Sequence, residues 1–310
     1  MALNTTSESD PTFMKPCLRF ELNLNIEHNS SYESGLITGI VLCILLGIFA
    51  TLSNLSAIYT ILKTSSLHRP SNVLIVGLAI SDFFAGIIAY PCLVALQLSD
   101  LLQDITKFCA LAKALWFTLM ILVSVSLLTL TAVALDRFLA LHYHMRYCQY
   151  VTNKGVAVVL VFIWSYSCLA GVLLVYLNRE DTLRAHFIVL FVASLMDIYF
   201  LLKIYKTAYR HSRQIQVQHQ SVQPSSNLSQ VRKSLNVMYF IIVAFVICYL
   251  PYVICSGAIG VSSESSGVLV IIYTIAEGLI LLNSCINPVI YYWRIEEFRN
   301  ATRIVFKCIR

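Results

Sequence analysis

The chain has 310 residues, of which 58% are apolar and only 12% charged, with a net charge of +6. A soluble domain carries roughly a quarter charged residues, so the composition excludes an ordinary soluble enzyme and points to a bilayer. The positive balance is no nucleic-acid signature either, because no aromatic–basic pattern in the chain suggests RNA or DNA.

Residues 1–34 are polar and hold no apolar signal-peptide core, so they are expected to stay on as an outer tail while the first span directs insertion. Asn4 and Asn29 each head an Asn-x-Ser/Thr sequence and are the glycosylation candidates of that tail. Seven apolar stretches follow, approximately 35–62, 72–98, 111–141, 155–177, 183–205, 235–259 and 267–293. Each is long enough for the ~20 residues that cross a ~30 Å hydrocarbon core. Their connections are short, so residues 35–293 read as one bundle. Residues 294–310 then place Ile295, Phe298, Val305, Phe306 and Ile309 on one side of a helix, with Arg299, Arg303 and Lys307 among the polar positions. That pattern predicts a helix lying in the membrane interface, with Cys308 as a palmitoylation candidate. The fold class is therefore an all-α membrane protein, a seven-transmembrane helix bundle plus a short amphipathic interfacial helix.

Charge fixes the orientation. With the tail outside, sixteen of the 22 Lys and Arg residues fall on the inner side, as the positive-inside rule requires. The N-terminus is thus expected to be extracellular and the C-terminus cytoplasmic, at the plasma membrane, with the inner basic residues near anionic membrane lipids. Of ten cysteines, only Cys17 and Cys109 sit clearly on the oxidising side. A disulfide joining the tail to the start of the third span competes there with two free thiols.

Ionisable groups inside spans are expensive and mark candidate functional sites. Asp82 lies in the second span, Asp136 and Arg137 at the inner end of the third, Asp197 in the fifth and Glu277 in the seventh. Asn54, Ser126, Asn283 and Asn287 fall at a depth similar to that of Asp82 and are able to solvate one carboxylate or a small hydrated cation. The seventh span adds Pro288, which deletes a helix hydrogen bond, and Tyr291.

These residues carry a resemblance. Asn54, "LAISD" ending at Asp82, "LDRF" around Arg137, Trp164, "FVICYLP" ending at Pro251 and "NPVIY" over Asn287–Tyr291 occur in register on six of the seven spans. From about Gly35 to Arg310 the chain resembles a rhodopsin-like (class A) G-protein-coupled receptor. The resemblance implies a receptor without enzymatic activity that binds an extracellular ligand and activates a heterotrimeric G protein. It implies that Asn287 reaches toward Asp82 at rest, and that Tyr291 swings toward Arg137 on activation. Tyr249, Pro251 and Pro288 would complete the switch, and Arg137, held by Asp136, would meet the C-terminal helix of a Gα subunit. It also implies a sodium ion held by Asp82, Ser126, Asn283 and Asn287, the one cofactor expected.

Departures narrow the reading. Leu281 stands where opsins attach retinal, so a light sensor is disfavoured. Leu119, eighteen residues before Arg137, replaces the aspartate of amine receptors. Tyr249 replaces the sixth-span tryptophan, and Val231 stands twenty residues before Pro251, where many relatives carry an acid. The short, cysteine-free second outer loop and a fifth span without proline resemble the melanocortin branch and, more loosely, the cannabinoid and lysophospholipid receptors. Glu277, Leu119 and Lys113 are the ligand-contact candidates, for a peptide, lipid or small molecule. The competing class is a membrane transporter or channel, but the inverted repeats with paired broken helices that mark transporters are not visible.

Overall fold

The computed structural model of the chain describes residues 30–143, 147–177, 180–218, 240, 243–244, 247–249, 251 and 267–307. The described backbone is helical apart from short turns. In order it comprises α1 (Ser30–Lys63), a 3-10 turn (Ser65–Leu67), α2 (Pro70–Phe84), a π turn (Ala85–Ala89), α3 (Tyr90–Leu101) and α4 (Ile105–Tyr143). A single turn, α5 (Tyr147–Tyr150), is followed by α6 (Asn153–Leu177), α7 (Glu180–Gln218), α8 (Gly267–Arg294) and α9 (Glu296–Lys307). The described residues between 240 and 251 are helical and belong to the sixth span.

Among the described residues, five stretches are long and apolar enough to cross a membrane: Tyr32–Lys63, Pro70–Leu101, Ile105–Tyr143, Asn153–Leu173 and Ile188–Thr207. Each of the six spans whose bounds are described outruns the apolar stretch that predicted it. The largest excess is at α7, which continues past Tyr205 through the polar run "KTAYRHSRQIQVQ" to Gln218. Lys, Arg, Ala and Gln are good helix formers, so hydrophobicity marks where the bilayer ends, not where the helix does.

The second span is two helices. The π turn at Ala85–Ala89 separates α2 from α3, which carries Pro91 in its first turn. A π turn absorbs the extra residue that a proline-disturbed ladder leaves over. Here it also brings the backbone close to α1: a Cβ on Gly86 would stand 2.4 Å from Thr51 Oγ1. Ala50, Ala85 and Ala89 are buried together in one cluster there. Small residues of this kind let membrane helices approach closely, where dispersion replaces the hydrophobic effect as the driving force.

α4 is the hub, packed against α2, α3, α6 and α7. The outward surfaces of α1, α6 and α7 are apolar, with Leu45, Leu52, Phe162 and Leu202 exposed, while Asn54, Asp82, Ser126, Asn283 and Asn287 are buried between helices. This is the arrangement lipid demands. At the outer end, Gln103 takes a left-handed conformation (φ 55°) and Asp104 begins α4. The Lys107 N–H donates to Asp104 Oδ1 at 3.0 Å and its ammonium lies 2.8 Å from Oδ2. These bonds hold the Asp104 carboxyl below the usual carboxylate range. At the inner end, α9 docks on α1 and α8: Phe298 is buried against Tyr291 and Tyr292, and Thr302 lies 3.4 Å from Thr60. Ile304 of α9 faces outward, as an interfacial helix requires.

Candidate functional site

Pro288 lies inside α8 and cannot donate to the carbonyl of Ser284, four residues earlier. Asn54 of α1 supplies the missing donor: its Nδ2 donates to the Ser284 carbonyl at 2.9 Å and to the Ala50 carbonyl at 2.8 Å. One turn further in, Asn287 Nδ2 donates to Asp82 Oδ2 at 2.8 Å, tying α8 to α2. Asp82 and Asn287 are 2% and 0% exposed, so this bond lies in a sealed centre where charge is costly.

Around the pair, Asn287 Oδ1 and the Tyr291 hydroxyl are buried without hydrogen-bond partners among the described residues, while the buried side chains of Ser126 and Asn283 lie beside that of Tyr249. A cavity of about 10 Å³ opens beside Asp82 and Ser126, bounded outward by Leu119, Tyr249, Ile280 and Leu281. That is about the room of one water-sized sphere. One carboxylate with hydroxyl and amide oxygens is the donor set of a hard cation, so these residues fit a sodium ion.

At the inner face the carboxylate of Asp136 is 4% exposed. Its Oδ2 accepts from Ser71 Oγ of α2 at 2.8 Å and its Oδ1 from the Tyr147 hydroxyl of α5 at 2.5 Å. Arg137 is the looser neighbour: its Nε stands 3.8 Å from Asp136 Oδ2, and the Nε has no hydrogen-bond partner among the described residues. The expected charge-assisted bond is therefore a long ion pair, because two hydroxyls already occupy the carboxylate. Burial and the bond to Asp136 push the Tyr147 hydroxyl above the ordinary tyrosine range. Phe138, in the place of the motif's tyrosine, stacks on His142, packs on Phe200 and lies under the Lys203 ammonium at 5.2 Å. These contacts join α4 to α7.

At the outer side Leu119 is buried with Leu115 and Leu281 in one apolar cluster, and Lys113 is exposed. Glu277 belongs to α8, ten residues before Asn287 and so ~15 Å further out; its side chain lies outside the described residues. So do Asn4, Cys17, Asn29, Val231 and Cys308. Cys109 is disulfide-bonded. Tyr249 is buried at the cavity wall and Pro251 is half-buried.

The model of the 7 transmembrane receptor (rhodopsin family) matches residues 53–291, which include Asn54, Asp82, Arg137 and Tyr291. The chain belongs to this family. It is a G-protein-coupled cell-surface receptor. It is 29% identical over 285 residues to human G-protein coupled receptor 12, covering 86% of this chain and 80% of that one. It is 26% identical over 264 residues to the rat histamine H2 receptor, covering 78% and 72%. The human adenosine receptor A2a is 24% identical over 297 residues, covering 84% and 70%.

Three contacts of the receptor's polar core were missed by motif reading. Ser284 was findable, since a proline inside a helix frees the carbonyl four residues before it. Ser71 and Tyr147 carried no signal: one is an ordinary first-turn serine, and the other lies in a turn whose path the sequence does not fix.

Proposed function

We propose that the receptor works as a transmitter in which an extracellular ligand, bound between the outer halves of α4 and α8, acts on the Asp82–Asn287 bond. Loss of that bond frees Tyr291 to move toward Arg137, and Arg137 to leave Asp136 for the C-terminal helix of Gα. The N-terminus faces outward and the C-terminus the cytoplasm. The observation that carries this reading is the direct Asn287–Asp82 bond in a buried centre where, among the described residues, Asn287 Oδ1 and the Tyr291 hydroxyl have no partners. A single bond among orphaned groups is readily exchanged for another arrangement, as a two-state element requires.

Glu277, Leu119 and Lys113 are the proposed ligand contacts. The relatives' names specify histamine and adenosine receptors; here Leu119 offers a cationic amine no countercharge. Its burial beside Leu115 and Leu281 suits a ligand with an apolar end, and Glu277 a donor or cation at the other. Sodium bound among Asp82, Ser126, Asn283 and Asn287 favours the resting arrangement. Cys17 is the proposed partner of Cys109.

A panel of peptides, lipids and nucleosides read by several Gα reporters finds the agonist. Glu277→Gln then lowers its potency at unchanged surface expression, and Asn287→Ala abolishes the response while binding persists. Unchanged potency removes the ligand role of Glu277. A full response in Asn287→Ala contradicts the switch.

A further inference from the structure

Arg294 closes α8 at its inner end, and its guanidinium lies on two rings. It stands 3.9 Å from the ring centroid of Trp293 and 4.2 Å from that of Phe240. The two rings meet edge to face with centroids 5.6 Å apart. Arg294 Nε is buried and has no hydrogen-bond partner among the described residues, so aromatic faces rather than acceptors surround that edge of the cation. Phe240 belongs to the sixth span and packs on the cluster that contains Ile290, Tyr291 and Phe298. The contact therefore bridges the sixth span and α8 at the cytoplasmic mouth.

We propose that Phe240 and Arg294 form a cation–π latch that holds the inner end of the sixth span against α8 in the resting receptor. It supplies restraint in a chain whose sequence has Val231 where many relatives carry an acid. This latch rests on the coupling reading above. A partner helix entering the mouth needs the sixth span to part from α8, and parting withdraws Phe240 from the guanidinium. Trp293 precedes Arg294 on the same helix and is 60% exposed, so it stays with the cation in either state. Only the Phe240 contact differs between the states, and only a differing contact biases an equilibrium. A ring also holds the cation without a second buried charge, avoiding the desolvation a carboxylate would bring.

The test uses the full-length receptor at matched surface expression. Phe240→Leu keeps apolar bulk and removes the ring; Arg294→Gln removes the charge. Each single variant should raise basal nucleotide exchange about two- to fivefold, the double variant should rise no further than the singles, and Arg294→Lys should stay within about twofold of the parent. A second readout needs no G protein: the distance between spin labels at the inner ends of the sixth span and α8 should shift to longer values in Phe240→Leu. An unchanged distance distribution in Phe240→Leu overturns the latch, whether or not any Gα responds. So does a double variant whose effect is the product of the singles. Absence of exchange with every Gα, beside a lengthened distance, supports the latch and counts instead against the coupling reading.

Discussion

Asn54 Nδ2 donates to the one carbonyl of α8, that of Ser284, which Pro288 deprives of its helix partner. The bond joins α1 to α8 across 230 residues of sequence and leaves the proline bend without an orphaned acceptor at that point. A buried acceptor left unsatisfied costs ~1–3 kcal/mol. Asn54→Ala should therefore lower the unfolding free energy of the detergent-solubilised receptor by about that amount. In a Pro288→Ala background the restored N–H can serve Ser284, so the same substitution should cost much less. Equal losses in both backgrounds, in thermal melts of the four proteins, would remove the link between Asn54 and the proline.

This bond also marks how far the sequence could be read. The helix bundle and its buried polar residues follow from hydropathy, because lipid punishes any other arrangement. The approach of Asn287 to Asp82 followed from resemblance, and the structure has it at 2.8 Å. What stayed hidden depends on approach rather than composition. The π turn at Ala85–Ala89 answers a local misfit at Pro91. The hydroxyls of Ser71 and Tyr147 reach Asp136 only after α2 and α5 have packed beside α4. The end of α7 at Gln218 lies beyond the apolar signal altogether.

Tyr147 and Ser71 orient the Asp136 carboxylate, so removing either should loosen the resting state. Tyr147→Phe should raise basal exchange, by less than Asp136→Asn does, and should add nothing once Asp136 is already asparagine. A further rise in the double variant would show that the Tyr147 hydroxyl acts elsewhere.

The oxygen-rich cluster at Asp82 sets up an ionic prediction. An ion that binds only the resting arrangement stabilises it by mass action, so exchanging sodium for a bulky organic cation at constant ionic strength should raise basal signalling. Asp82→Asn should flatten that response. A sodium response that persists in Asp82→Asn would place the ion elsewhere.

Asp197 is 3% exposed in α7, and its carboxylate oxygens lack a well-formed hydrogen bond among the described residues, with the Thr131 side chain of α4 beside them. A buried polar group left without a good hydrogen bond costs ~1–3 kcal/mol by mutational measures. Asp197→Val should accordingly raise the thermal midpoint of the purified receptor. A lower midpoint would reveal a partner that depends on the carboxylate.

Restraint of Arg137 is the centre of the account. Asp136 is its one close acid among the described residues, at 3.8 Å and shared with two hydroxyls, and no Asp or Glu occurs in the sequence from Ile198 to Ser263. A partly exposed ion pair is worth only ~0–1 kcal/mol, yet resting and active states differ by only a few, so a missing acid changes the active fraction up to about fivefold. The decisive measurement is ligand-free nucleotide exchange across a panel of Gα subunits, at matched surface expression. The account predicts exchange above that of Arg137→Ala, higher still in Asp136→Asn and lower in Val231→Glu. Exchange no higher than in Arg137→Ala with every Gα, and unmoved by Val231→Glu, would contradict it.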